Sequence, residues 1–481
     1  MIKRSLSILS VAAVFFANAQ DVSTIRNAVD VYGDRSIGAS AKYDAMAGSN
    51  GALGGEATSL LTNPAGLGVG IASNFTGTLG ISGYENTSTL GSSSTSYGHK
   101  NSSLKNIGSI ISFQPENPES PVKFVNVGFN YSNRNLDDYV ETPGNSNIVI
   151  QKSLLDASNN PVTGNLTLQK HAYERTGILS DLGVGVGANI MNQFYIGGGL
   201  KMKGVTIDQY DTAQFHLDLD NSVDNYYKQY TPYSEEASGV ALNLGIIGKV
   251  GNTVRLGAAV ETPTWWTIER LYSDYYTDSS GYMSVETLAE NRKFRTPLTA
   301  TLSAAVVPNK NFALNVDYVV GLTKPQYTVY GPAETELNDF FNDYYANTHE
   351  VKVGAEYRIA GFRLRGGFAH ATSPLDGITV SSYTGNGSSS NFGYENLIAS
   401  KRNTLGLGLG YDWKRFFLDV SFQNQQSTYS NPFLYGGVME TNPYYSSGYH
   451  SGNFDIPSES FAVSEVKSVR NNVMLGLGIK F

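Results

Sequence analysis

Apolar and polar positions alternate with a period of two along several stretches of the chain. In the last of these, Val473, Leu475, Leu477, Ile479 and Phe481 fall on one face, opposed by Asn472, Met474, Gly476, Gly478 and Lys480. Leu405, Leu407, Leu409, Tyr411 and Trp413 repeat the arrangement against Thr404, Gly406, Gly408 and Gly410. Val240, Leu242, Leu244 and Ile246 do so as well, as do Val351, Val353, Ala355 and Tyr357. Side chains of a strand point alternately to its two faces, so the pattern predicts strands with one apolar face and one face of small or polar residues.

Short turns are predicted at 116–121, 191–193, 251–252, 308–311, 360–361 and 414–415. Long polar stretches separate the hairpins at 84–103, 132–173, 209–237, 269–293, 322–348, 372–400 and 428–466. Six turns and seven loops join fourteen strands. An even number puts both ends of the barrel on the side of the short turns, the arrangement of bacterial outer-membrane barrels. A soluble β-sandwich gives no reason for all the short connections to lie on one side. The expected fold is therefore all-β: a transmembrane antiparallel β-barrel of about 14 strands, over 72–481, with a small hatch inside the lumen.

Composition supports this. Gly makes up 51 of 481 residues, above the usual ~7%, and aromatics reach 12% with 31 Tyr. The mean hydropathy of −0.22 resembles that of a soluble protein, but only every second residue of a barrel strand meets lipid. After the first twenty residues no run of about 18 apolar residues marks a membrane helix. Aromatics near strand ends (Tyr131, Trp265, Trp266, Tyr318, Tyr357, Tyr411, Trp413 and Phe481) fit interfacial girdles. Charges on the lipid face would cost about 2–4 kcal/mol each at the midplane, so Arg255, Glu261, Asp317, Lys352, Glu356 and Asp419 are expected to face inward. A net charge of −8 gives no footing for a nucleic-acid partner.

Lys3 and Arg4, the apolar run from Leu6 to Phe16, and Ala17-Asn18-Ala19 read as a signal peptide over 1–19. Residues 20–71 then precede the first expected strand. Within them the block at 51–68 is rich in Gly, Ser, Thr and Ala, yet carries Leu53, Leu60, Leu61 and Leu67. Small residues with leucines to bury are expected to pack inside the barrel at its periplasmic end.

Chemical motifs are incomplete. His349-Glu350 starts a zincin-like pattern whose second histidine position is Val353. Asp218, Asp220 and Asp224 resemble the start of a calcium loop, but Val223 and Gln229 hold its glycine and terminal glutamate positions. Gly183-x-Gly185-x-Gly187 sits on an alternating strand, where small lumen-facing residues explain it. The six histidines show no ligand spacing, there is no cysteine, and no Gly-x-Ser-x-Gly occurs. No catalytic residue, metal or cofactor is expected, and the chain reads as a non-enzyme.

A Gly-rich block ending in Asn63-Pro64-Ala65-Gly66-Leu67 ahead of a fourteen-strand barrel resembles the FadL/TodX-type outer-membrane transporters, in the variant common in Bacteroidetes. The segments 245–250 with 256–263 and 353–358 with 364–368 agree with that resemblance. It implies an N-terminal hatch, here with Asn63, Pro64, Ala65 and Gly66 as the gate. It also implies passive uptake of hydrophobic compounds such as long-chain fatty acids, captured at the outer loops and released sideways through the wall. The implied setting is the outer membrane of a Gram-negative bacterium. The expected partners are a hydrophobic small molecule, membrane lipid and the barrel-assembly machinery, reached through the strand ending in Phe481. The protein is expected to be a monomer.

Within 334–346, Leu337, Phe340, Phe341, Tyr344 and Tyr345 fall at helical spacing. With Trp265, Trp266, Tyr275 and Tyr276 they form either an outer capture surface or packing on the barrel rim. Arg358, Arg363 and Arg365 either meet a carboxylate head group or pair with wall carboxylates. A barrel receptor or adhesin that binds haem or another extracellular ligand without transport is the second function class. An open porin lacks an N-terminal plug, and an energy-coupled receptor has a far larger one.

Overall fold

The computed structural model describes residues 20–33, 38–117, 119–155, 160–219, 222–277, 283–435 and 460–481. Its strands are β1 (Asn74–Leu90), β2 (Ser93–Phe113), β3 (Val122–Asn135), β4 (Asp138–Leu155), β5 (Pro161–Ile190), β6 (Phe194–Leu219) and β7 (Ser222–Val250). There follow β8 (Val254–Glu261), β9 (Trp265–Thr277), β10 (Met283–Arg295), β11 (Thr299–Asn309), β12 (Phe312–Gly321), β13 (Gln326–Thr328) and β14 (His349–Ile359). The last are β15 (Phe362–Ala371), β16 (Ile378–Tyr383), β17 (Ser389–Tyr394), β18 (Arg402–Asp412), β19 (Phe416–Phe433) and β20 (Ala462–Lys480).

Fourteen of them form a closed antiparallel ring in the order β1, β2, β3, β5, β6, β7, β8, β11, β12, β14, β15, β18, β19, β20. β20 pairs back onto β1, from Asn74↔Lys480 to Thr89↔Glu465. The six predicted short turns all lie at the end of the barrel that holds Asn74 and Lys480. β4, β9, β10 and β13 extend the wall outward, above breaks at 136–137, 262–264, 296–298 and 322–325.

The apolar faces point out of the ring. Leu79, Ile81, Leu242, Leu244, Ile246, Leu405, Leu407, Leu409, Leu475 and Leu477 are all exposed and form the band that meets lipid. Trp265, Tyr318, Tyr357, Trp413 and Phe481 are exposed with them. Trp266 is not: on the same strand it faces the opposite way and is buried in the lumen, 5.2 Å from the ring of Tyr32.

Most of the predicted outer loops are strand. The β1–β2 hairpin continues through 84–103 to Leu90↔Ser93, and β6–β7 continues through 209–237 to Leu219↔Ser222. Above the membrane both faces meet water or polar neighbours, so the apolar period disappears while backbone pairing continues. The stretch 372–400 holds the β16–β17 hairpin. Of the stretch 428–466, residues 436–459 lie outside the described residues, as does the predicted signal segment 1–19.

The stretch 322–348 contains a helix, as its apolar spacing predicts. Here the helices are α1 (Gln20–Asn27), α2 (Ala41–Ala45), α3 (Ser59–Thr62) and α4 (Ala333–Tyr344). Glu334 and Glu336 sit in the first turn of α4, where its dipole favours acid. Asn338 donates to and accepts from the backbone of Tyr327, both at 2.9 Å, which pins the helix to β13. Leu337, Phe340 and Phe341 are buried.

Candidate functional site: plug, cavity and wall gap

Of the residues described before β1, 20–33 and 38–70 lie inside the ring. Residues 38–70 close its lower, turn-side end. α2, α3 and the 3-10 helix Pro64–Val69 are short, so many of their backbone groups find no partner within the helix and need one from outside it. Inward-facing polar side chains supply them. Asp317 accepts the N–H groups of Asn50 at 2.9 Å and Gly51 at 3.2 Å. Arg255 donates to Leu53 O, Asn243 to Leu60 O, and Asn126 to both Leu67 O and Gly70 O.

Asn63 ties this plug to itself and to the wall. Its Oδ1 caps the 3-10 helix by accepting the Ala65 N–H at 3.1 Å. Its Nδ2 donates to Gly51 O at 2.9 Å and to Ile246 O of β7 at 3.1 Å. Pro64 opens the helix at the position where its missing N–H is harmless. Gly66 touches Gly54: a Cβ on Gly54, whose φ is +63°, would lie 2.5 Å from Gly66 Cα.

Wall glycines make room for this packing. A Cβ on Gly245 would lie 2.0 Å from Asn63 Oδ1, and one on Gly367 would lie 2.2 Å from the Met46 carbonyl carbon. The Gly183-x-Gly185-x-Gly187 run faces Leu60, Leu67 and Gly68 of the plug.

Residues 20–33 sit in the outer half of the lumen, a placement that the sequence did not indicate. Ile25, Ala28, Val29, Val31 and Tyr32 join a core with Trp266, Phe294, Phe340 and Phe341. Polar contacts hold the same segment. Tyr32 donates to Glu235 at 2.7 Å, and Arg270 donates to Thr24 at 3.1 Å while pairing with Glu235 at 2.5 Å. Burial, with the Glu235 carboxylate beside it, pushes the Tyr32 phenol well above its usual range.

Between this upper segment and the lower plug lies a cavity of about 290 Å³, lined by both and by the surrounding wall. It reaches the wall at one discontinuity in strand pairing. β2 pairs with β3 only from Asn106↔Ser132 downward. Above that, β2 pairs with β1 alone, and Ser93 to Leu104 are exposed on nearly every residue. β3 breaks at Leu136-Asp137, and β4 leans across the top of the gap. There Asn86 donates to Asp138 at 2.7 Å, and the rings of Tyr97 and Tyr139 are 4.4 Å apart. All six residues from Asn133 to Asp138 line the cavity, as do Ser82, Gly83, Tyr84, His99, Asn101 and Lys105. A wall in which consecutive residues all line the cavity exposes its strand edge, since a paired strand presents only alternate residues. The gap stands level with Leu79 and Ile81 of β1, which face lipid (Leu79↔Leu104, Ile81↔Ser102).

The predicted ligand contacts lie elsewhere. Trp265 faces outward, 49% exposed. Trp266, Phe340 and Phe341 are sealed in the outer core, and Tyr344 packs against it. Arg365 pairs with Glu356 at 2.6 Å and Asp419 at 2.5 Å; Arg358 also pairs with Glu356, and Arg363 with Asp412. None of these eight lines the cavity. Among the described residues, no group of three potential metal ligands occurs.

In fold, this closed fourteen-strand barrel is similar to solved structures of FadL-type transporters. A FadL homologue of Pseudomonas aeruginosa matches with a TM-score of 0.54 at 10% identity, over 92% of this chain and 98% of that one. The P. putida toluene transporter TodX matches with a TM-score of 0.51 at 11% identity, over 94% of this chain and 99% of that one. At such identity the likeness is one of fold. No protein-family profile and no curated protein matches the sequence.

Proposed function

We propose that this chain is an outer-membrane channel for the passive uptake of hydrophobic or amphipathic compounds, with exit sideways into the membrane through the gap between β2 and β3–β4. The observation that carries the reading is the coincidence of cavity and gap. The lower end of the lumen is packed by the plug, while the cavity above it meets an unpaired strand edge at the level of lipid-facing residues. An apolar ligand gains about 25 cal/mol per Å² on leaving water and keeps that gain when it passes directly into lipid. The two solved structures of this fold, one a FadL homologue and the other a toluene transporter, support the same class of ligand. Asn63 to Gly66 act in this reading as the hinge that keeps the lower exit shut.

The test is to pin the gap. The chain has no cysteine, so Tyr97→Cys with Tyr139→Cys can be bridged by a short bis-maleimide on an otherwise thiol-free protein. Cross-linking is expected to stop uptake of a labelled long-chain fatty acid by cells lacking their own carrier, with each single cysteine variant unaffected. Undiminished uptake by the bridged protein would sink lateral exit.

A further inference from the structure

Lys105 is the extra residue of a β-bulge. Thr78 pairs with Asn106 and Leu79 with Leu104, so Lys105 and Asn106 both turn into the lumen. Only 2% of Lys105 is exposed, and it lines the cavity at the foot of the gap, next to the last β2–β3 pair. Its stem is held between Gly80 and Met474: a Cβ on Gly80 would lie 2.7 Å from Lys105 Cγ and 3.3 Å from Met474 Cγ. The ammonium is therefore placed, not free to swing into solvent.

The other cavity cations are committed. Lys352 pairs with Glu350 at 3.1 Å, Arg470 with Asp138 at 3.3 Å, and Arg134 donates to Asp30 O at 3.0 Å. Among the described residues, Lys105 makes no hydrogen bond or ion pair. Two carboxylates bear on it without bonding to it, Asp44 of the plug and Asp137 of the wall. Asp44 is itself buried. Its Oδ1 accepts the Ala39 N–H at 3.1 Å, and its Oδ2 has no partner. A buried ammonium without a bonded partner is unfavourable, so Lys105 stands ready for an anion.

We propose that Lys105 is the acceptor for the anionic head group of an amphipathic ligand entering the gap. This rests on the channel reading above and narrows its substrate class to long-chain carboxylates over neutral hydrocarbons. With the head at Lys105, the tail lies across the opening beside Leu79 and Ile81, already facing lipid.

Binding of labelled oleate and of its uncharged methyl ester to the purified full-length protein in detergent tests this. Wild type is expected to prefer oleate. Lys105→Met, which keeps the stem, should weaken oleate about tenfold, the worth of one charge-assisted contact, and leave the ester unchanged. Lys105→Arg should retain most of the preference. Heat-modifiable electrophoretic mobility checks that each barrel is intact. An equal loss for both ligands, or no loss for oleate, overturns the head-group site. If the ester binds as well as oleate and Lys105→Met changes neither, the site falls and the channel reading stands. If wild type binds neither ligand, both fall.

Discussion

At the scale of single residues, the plug is held by contacts that have no room for change. Gly367 lies against the Met46 backbone, and any side chain there meets main chain, not a flexible tip. Gly367→Val is expected to leave the barrel assembled but to push the plug off its seat, since overpacking costs about 1–3 kcal/mol even where neighbours can yield. Single-channel recordings in planar bilayers should show raised conductance. Asp317 acts by bonding: it accepts from Asn50, Gly51 and Asn315 Nδ2. Asp317→Ala should weaken docking of that segment by about 3 kcal/mol, because hydrogen bonds to charged groups are worth more than neutral ones. Faster amide exchange at 49–52, with unchanged exchange in β5 and β6, is the expected signature. Single residues also show where sequence stops. The Trp265-Trp266 pair was legible as aromatic but not as divided, because a strand sends neighbours to opposite faces and only register says which is inside.

At the scale of elements, the lower barrel was the most legible part. Lipid imposes an apolar period of two there, and the six short turns fell within a residue or two of their expected places. Where lipid no longer imposes the period, β1–β2 and β6–β7 run on as strand with a composition that reads as loop. The block at 51–68 was legible as something packed, since its leucines needed burial. The route of 20–33 was not, because its partners Glu235, Arg270 and Trp266 come together only through ring closure. The plug also carries a pH dependence. Burial raises the Asp44 carboxyl of α2 from 3.8 to about 7. The docked plug thus binds this proton more tightly than an undocked one does. That contribution is fully present below pH 3.8, is lost progressively as pH rises, and is gone above about 7. Leak conductance should therefore be lower at about pH 5 than at about pH 8. Asp44→Asn should flatten the difference.

At the scale of the whole molecule, plug and wall are separable. The strand pairing that closes the ring, β1 with β20, begins at Asn74. Deleting 21–62 should yield a barrel that still inserts and shows heat-modifiable mobility but passes small sugars in liposome swelling. A barrel that stays closed would mean the plug is not the gate. The gap, by contrast, cannot be separated from the ring, because it is made where β2 outgrows β3.

That overhang has a consequence for the company this protein keeps. The side of β2 away from β1 has no strand partner above Asn106, and such an edge recruits other strands. From Gly91 to Lys105 the chain is almost entirely Gly, Ser, Thr, Asn, His and Lys, with Lys100 exposed along the edge. Residues of this kind pack poorly against a second strand, and like charges keep two copies of the edge apart. An edge that is to stay unpaired thus has to be written in a sequence that no neighbour wants to complete. Replacing Ser94, Ser96 and Ser102 by valine should bring such a neighbour. Either β4 zips down onto β2 and the opening is lost, or two barrels join edge to edge and run as a dimer on a sizing column.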